Sequence, residues 1–205
     1  MIRNIVFDMG QVLIHWNPHL LLTPFPLKPE EEALVIRELF QSVEWVQLDR
    51  GTITEEAAAA SVCGRLPESL HPCVRQVVSH WHDRTLIPME GMAELLQELK
   101  EMGLRIYLLS NANRKLRSYF PRIPGSEYFD GLMVSAEEGL LKPQHEIFEA
   151  LLSRFGIRAE ECFFVDDAPA NVEGALEAGI PGTVFYGDVP RLRRELRKAG
   201  IPVEA

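Results

Sequence analysis

The sequence predicts an α/β chain built on a doubly wound parallel sheet, with a block of helices inserted after the first strand. Three observations carry this. Short apolar runs at residues 5–7, 104–109, 131–135, 162–165 and 183–186 alternate with segments whose apolar residues recur at helical spacing. Most of these runs are apolar throughout instead of alternating, as strands buried on both faces of a parallel sheet require. Between residues 16 and 87 the alternation stops, and about seventy residues show helical periodicity without a convincing strand.

The first strand, Ile5, Val6 and Phe7, ends on Asp8, a charge that a doubly buried strand cannot carry through its middle. Gly10 then lets the backbone turn sharply or approach a ligand. Taken alone, these residues fit a hairpin turn equally well. In the insert, Pro29 opens a helix bearing Ala33, Ile36, Leu39 and Phe40. A second helix holds Val43, Val46 and Leu48 on its inner face and stops at Arg50-Gly51. Thr54 caps a third, through residues 57–60 and Val62, and Val74, Val77, Val78 and Trp81 mark a fourth.

From Pro88 the strand–helix pattern returns. Met92, Leu95, Leu96, Leu99 and Met102 form one helical face, closed by Gly103. The strand at 104–109 ends in Ser110-Asn111, and a helix over about 114–119 leads through a proline-rich loop to the strand at 131–135. Pro143 is predicted to start a helix with Ile147, Phe148, Leu151, Leu152 and Phe155 inward, closed by Gly156. The strand at 162–165 ends in Asp166-Asp167. Pro169 opens the next helix, with Val172, Ala175 and Leu176 inward and Gly179 at its end. The last strand, 183–186, precedes a helix marked by Leu192, Leu196 and Ala199.

The 205 residues suffice for one large domain, or a core plus a small insert. A net charge of −9 argues against a nucleic-acid or anionic-membrane surface as partner. No basic stretch followed by an apolar one opens the sequence, and no run reaches membrane-spanning length, so a cytoplasmic chain is expected, with a monomer favoured. Cys63, Cys73 and Cys162 lack metal-ligand or C-x-x-C spacing and read as packing thiols in a reducing compartment, one reactive thiol being the other reading.

Chemistry collects at strand ends. A parallel sheet puts all its carboxyl ends on one edge, so Asp8, Ser110-Asn111 and Asp166-Asp167 should converge there, joined by Lys142. Carboxylates so gathered repel one another, and an all-oxygen donor set fits a hard cation such as Mg²⁺. Lys142 and Ser110 would add positive charge and a hydroxyl donor, making a pocket for a phosphate dianion. A carboxylate can accept a phosphoryl group, splitting one hard displacement into two easier ones.

The order Asp-x-x-x-Val (from Asp8), Ser-Asn (Ser110), Lys-Pro (Lys142), Asp-Asp-x-x-x-Asn-x-x-Gly-Ala (from Asp166) resembles the four motifs of the haloacid dehalogenase-like hydrolase superfamily. The resemblance covers the whole chain. It implies a Rossmann-like core at 1–15 and 88–205, a helical cap at 16–87, and a Mg²⁺-dependent phosphatase acting on small soluble phosphomonoesters. It also implies roles: Asp8 as nucleophile and metal ligand; the Gly10 carbonyl and Asp167 as metal ligands; Ser110, the Asn111 amide and Lys142 on the phosphoryl group; Asp166 and Asn171 in support. Most phosphatases of this superfamily carry a second Asp where this chain has Gly10, so the proton donor is unassigned. A branch resembling bacterial sugar-phosphate phosphatases, glucose-1-phosphate phosphatases among them, shares the Asp-x-Gly form and directs attention to sugar phosphates. Three other readings stay open: a non-catalytic binding module of the same fold, a 2-haloacid dehalogenase, and a hexose-phosphate mutase.

Several residues have two readings. His15 is either a substitute acid or a hydrogen-bonded hinge residue. Trp16 either stacks on a sugar ring or packs between insert and core. Asp49 or Arg50, beside Trp45 and the turn at Gly51, either contacts substrate or forms a surface ion pair. His80, Trp81 and His82 would spread over different helix faces, so no metal site is expected there. The basic run from Arg191 to Lys198 reads as a solvated helix face.

Overall fold

The computed structural model describes residues 1–83 and 86–204, so positions 84 and 85 of the predicted 16–87 segment lie outside the described residues. The chain opens with strand β1 (Asn4–Phe7) and the two-residue β2 (Ile14–His15). Helices α1 (Pro18–Leu22), α2 (Pro29–Val35), α3 (Val43–Arg50), α4 (Glu55–Cys63) and α5 (His71–His80) follow, with a π-helical turn, Ile36–Phe40, after α2. Next come β3 (Ile87–Pro88), α6 (Met92–Glu101), β4 (Arg105–Ser110), α7 (Leu116–Tyr119), β5 (Gly131–Val134) and α8 (Ser135–Glu138). The chain continues through α9 (His145–Phe155), β6 (Cys162–Asp166), α10 (Pro169–Glu177), β7 (Gly182–Val184) and α11 (Val189–Lys198).

The main sheet has the order β5-β4-β1-β6-β7, and all its pairings are parallel. β1 is central, and the chain winds outward from it in both directions, which leaves a crevice beyond its carboxyl end. Alternation along each strand loads both faces. Ile5, Phe7, Ile106, Leu108, Phe163 and Val165 join one apolar cluster, which also takes in the inserted helices. Val6, Tyr107, Leu109 and Phe164 join another under α9 and α10. Burying each large apolar side chain contributes ~1.5–3 kcal/mol, so the uninterrupted apolar runs are what hold the sheet between its helices. Phe7 pairs in register with Leu108 and Val165, so the residues just beyond them reach one edge together.

The structure departs from expectation in several places; among them, Leu176 on α10 and Met102 just past α6, both read as facing inward, are exposed. Pro143 does not start a helix: the Lys142-Pro143 peptide is cis, and α9 begins at His145. The intervening turn is closed by Gln144, whose Oε1 accepts from Leu141 N at 2.9 Å, so its polar groups need no helix. On α3, Val43 and Val46 are exposed while Glu44 is buried. The phase is set by Arg65, which pairs with Glu44 at 2.7 Å and makes an inward carboxylate tolerable. The segment read as strandless at its margins forms a small antiparallel pair, β2 with β3, too short to show periodicity. The last strand stops at Val184, after which Phe185 turns inward and Tyr186 is exposed.

Candidate active site

Asp8 follows β1 directly, Ser110 ends β4, and Asp166 ends β6. One ligand oxygen each from Asp8, Asp166 and Asp167 lies within 4.8 Å of the others. Lys142, buried at 4% exposure, places Nζ 2.7 Å from Asp8 Oδ1 and 2.6 Å from Asp166 Oδ2, and donates to Leu109 O at 2.8 Å. The Asp166 carboxylate is fully engaged. Its Oδ1 accepts from Ala168 N at 2.8 Å and from Asn171 Nδ2 at 2.9 Å, while Oδ2 takes Lys142. The Asp8 carboxylate pairs with Lys142 through Oδ1 and also accepts from the Met9 N–H, and the Asp167 carboxylate has no ion-pair or side-chain partner among the described residues, only a backbone N–H of its own.

The loop carrying Lys142 is held from two sides. Asn111 Nδ2 donates to Lys142 O at 3.0 Å and Lys142 N donates to Asn111 Oδ1 at 2.9 Å. Behind it, α10 approaches so closely that a Cβ on Gly174 would lie 2.6 Å from Pro143 O. Only glycine leaves room there. The bracing roles of the Asn111 side chain and Gly174 were not read from the sequence, although both belong to motifs already singled out.

These groups open onto a cavity of about 180 Å³, which Gly10, Asn171 and Asp167 also line. Its other wall comes largely from the insert: Trp16, Trp45, Leu48, Asp49, Val78 and Trp81. The Trp16 ring meets Trp81 edge-on at 4.7 Å and lies 5.8 Å from Trp45, with Tyr119 packed 5.2 Å beyond Trp81. Arg50 turns away, its guanidinium 2.9 Å from Gln144 Oε1, so it ties α3 to the Lys142 loop in place of a surface ion pair. His15 is not among the cavity residues. It is exposed on β2, lining a different depression with Met89 and Glu90. Burial pushes Cys73 up to about 12 and Cys162 up to about 11, well away from reactive thiolates.

Burial also sets the electrostatics. It pushes Asp8 up to about 6; Lys142 opposes the shift and Asp166 adds to it. Asp167 is raised by burial and by Asp166, against Lys142. Burial works against the charge on Lys142, yet Asp166 and Asp8 outweigh it and hold the ammonium above its usual range. Asp49 is raised well above the carboxylate range by burial and by the facing charge of Asp8. The site thus has more negative charge than its one buried cation balances. Asp8 and Asp167 are the carboxylates left to hold a hard cation, and the all-oxygen donor set fits Mg²⁺.

A family model described as haloacid dehalogenase-like hydrolase matches residues 2–179. A sesquiterpene phosphatase of Aspergillus oryzae is 32% identical over 184 residues, covering 86% of this chain and 86% of that protein. A D-ribitol-5-phosphate phosphatase of Bacteroides thetaiotaomicron is 26% identical over 192 residues, covering 88% of this chain and 90% of that protein. Among solved structures, a HAD-family enzyme of the same bacterium in a magnesium complex aligns with TM-score 0.69 and 26% identity, covering 94% of this chain and 98% of that one.

Proposed function

The chain belongs to the haloacid dehalogenase-like hydrolases, and from that premise we propose that it is a Mg²⁺-dependent phosphatase cleaving small phosphomonoesters through an aspartyl-phosphate on Asp8. One observation carries this most. Lys142 bridges Asp8 and Asp166 at 2.7 and 2.6 Å, while Asp8 and Asp167 both line the cavity and only Asp8 of the two is paired with a cation. A carboxylate oxygen of Asp8 attacks phosphorus. Lys142 Nζ, the Ser110 hydroxyl and the Asn111 backbone N–H hold the phosphoryl oxygens, and water then cleaves the aspartyl-phosphate. Asp8 and Asp167, with the Gly10 carbonyl, would hold Mg²⁺, which offsets the charge of the phosphoryl group and the clustered carboxylates. Asp166 and Asn171 keep Lys142 and the loop after β6 in place.

In this reading residues 1–15 and 88–205 are the catalytic core and 16–87 the cap, which closes the cavity against water and selects the leaving group. Sugar phosphates are the first substrate class, their C–H faces packing on Trp16, Trp45 or Trp81. The same wall favours a second reading, an apolar or aromatic leaving group, because three indole rings with Leu48 and Val78 make most of its surface apolar. Among the described residues no helix is long and apolar enough to cross a membrane. A cytoplasmic, monomeric enzyme remains part of the proposal.

A panel of aldose phosphates, polyol phosphates, prenyl phosphates and p-nitrophenyl phosphate, assayed with Mg²⁺ and with EDTA, tests the proposal. Turnover with Mg²⁺, its loss with EDTA and its loss in Asp8→Asn are expected. Metal-independent chloride release from 2-chloropropionate would instead make the chain a dehalogenase. Binding without turnover across the panel would make it a non-catalytic module.

A further inference from the structure

The reaction above lacks a proton donor for the leaving oxygen, because Gly10 carries no side chain. Among cavity-lining groups, Asp8 and Asp167 are committed to the phosphoryl and metal positions, and Lys142 is locked in two ion pairs. Asp49 is different. It lines the same cavity, and its carboxylate has no ion-pair or hydrogen-bond partner among the described residues.

Its backbone, by contrast, is held firmly to the core. Ser135 Oγ donates to Asp49 O at 2.5 Å, Arg50 reaches Gln144 at 2.9 Å, and Gly51 packs so tightly that a Cβ would sit 2.2 Å from Ala136 O. The turn that carries Asp49 is therefore docked on α8 and on the loop that carries Lys142. A second feature of the cavity independently points to a ligand. The Tyr119 hydroxyl, on a residue only 1% exposed, has no hydrogen-bond partner among the described residues and belongs to the same lining. A buried hydroxyl left unpaired is unfavourable, and a polar atom of a bound substrate would satisfy it.

We infer that Asp49, supplied by the insert, is the general acid and base of the reaction, doing the work that Gly10 cannot, and that Tyr119 donates to the substrate beside it. This rests on the phosphatase reading. In the first half-reaction the Asp8 carboxylate forms a bond to phosphorus, the P–O bond to the leaving group breaks, and the leaving oxygen takes the proton of the Asp49 carboxylic acid. In the second, water attacks phosphorus, Asp49 takes its proton, and the bond between phosphorus and the Asp8 oxygen breaks. Inorganic phosphate leaves, and both carboxyl groups return to their starting states.

The test uses Asp49→Asn, an isosteric change, with Mg²⁺ and two aryl esters of similar size. Phenyl phosphate releases a phenol with pKa ~10, as in tyrosine, that needs a proton; p-nitrophenolate leaves without one. kcat/KM reports the steps through the first P–O cleavage, so Asp49→Asn should lose about 10²-fold or more on phenyl phosphate and stay within about threefold on p-nitrophenyl phosphate. With the base gone, phosphoenzyme should accumulate during p-nitrophenyl phosphate turnover and be trapped by acid quench. Equal losses on both esters without trapped phosphoenzyme would overturn the inference, as would full activity on both. An inactive parent protein, or an active Asp8→Asn, would instead sink the phosphatase reading itself.

Discussion

Replacing Lys142 with methionine isolates the charge balance of the site from any metal. The side chains are similar in length, so the change removes a buried charge more than it removes packing. It deletes ion pairs of 2.7 Å to Asp8 and 2.6 Å to Asp166, and a 2.8 Å hydrogen bond to Leu109 O. Removing one partner of a buried pair costs ~3–5 kcal/mol, because the other charge is left uncompensated. The cavity gives Asp8 a path to water, so the low end, ~3 kcal/mol, is expected. For a chain of this size each kcal/mol moves Tm by ~2–4 °C, which predicts a fall of ~6–12 °C in metal-free protein near neutral pH. The deficit should shrink on acidification. Asp8 already sits at about 6 in the parent and rises further without its cation, so the folded variant holds a proton that the unfolded chain has released. Stability of the variant therefore recovers as pH falls from about 8 toward 6, over a range where the parent gains less. Thermal unfolding in EDTA, followed by far-ultraviolet circular dichroism at both pH values, measures this. A Tm within about 2 °C of the parent at the higher pH, or a deficit that grows on acidification, would refute the reasoning.

Asp167→Asn should raise the Mg²⁺ concentration for half-maximal activity about tenfold or more while leaving the metal-free Tm nearly unchanged; Mg²⁺ titration of p-nitrophenyl phosphate hydrolysis checks it. Gly174→Ala would put a methyl 2.6 Å from Pro143 O and push on the Lys142 loop. It should cost ~1–3 kcal/mol and lower kcat disproportionately, read by Tm and turnover on one preparation. Glu44→Gln weakens the 2.7 Å pair with Arg65 and should cost ~1–2 kcal/mol at neutral pH, since Arg65 is partly exposed. Arg65 holds the Glu44 carboxyl down from 4.5 to about 2, so this stabilisation is complete above about pH 4.5 and fades as pH falls toward 2. Urea unfolding at pH 7 and 3.5 should show the gap between parent and variant closing.

The candidate site was legible because polar residues close several of the apolar runs, which marks them as strand ends, and parallel topology gathers strand ends. Asp8 alone fitted a turn as well; the matching ends at Ser110 and Asp166 placed the three together. What was not legible depends on docking. Asp49 and Arg50 are neighbours on α3, and nothing local says which faces the cavity; the contact of Gly51 with Ala136 decides it. The inward turn of Glu44 depends on Arg65, a partner 21 residues away. The Tyr119 hydroxyl shows as unpaired only once α7 is packed, and apolar periodicity carries no trace of it. His15, attractive by its closeness to Asp8 in sequence, sits outside the cavity because β2 pairs with β3 and holds it at the surface.

The most direct measurement is peptide mapping of acid-quenched protein after brief turnover of a phosphorus-labelled phosphomonoester with Mg²⁺. Label on the peptide containing Asp8, absent with EDTA and absent in Asp8→Asn, is the predicted result. Turnover with label on another residue, or turnover that persists in Asp8→Asn, would contradict the account.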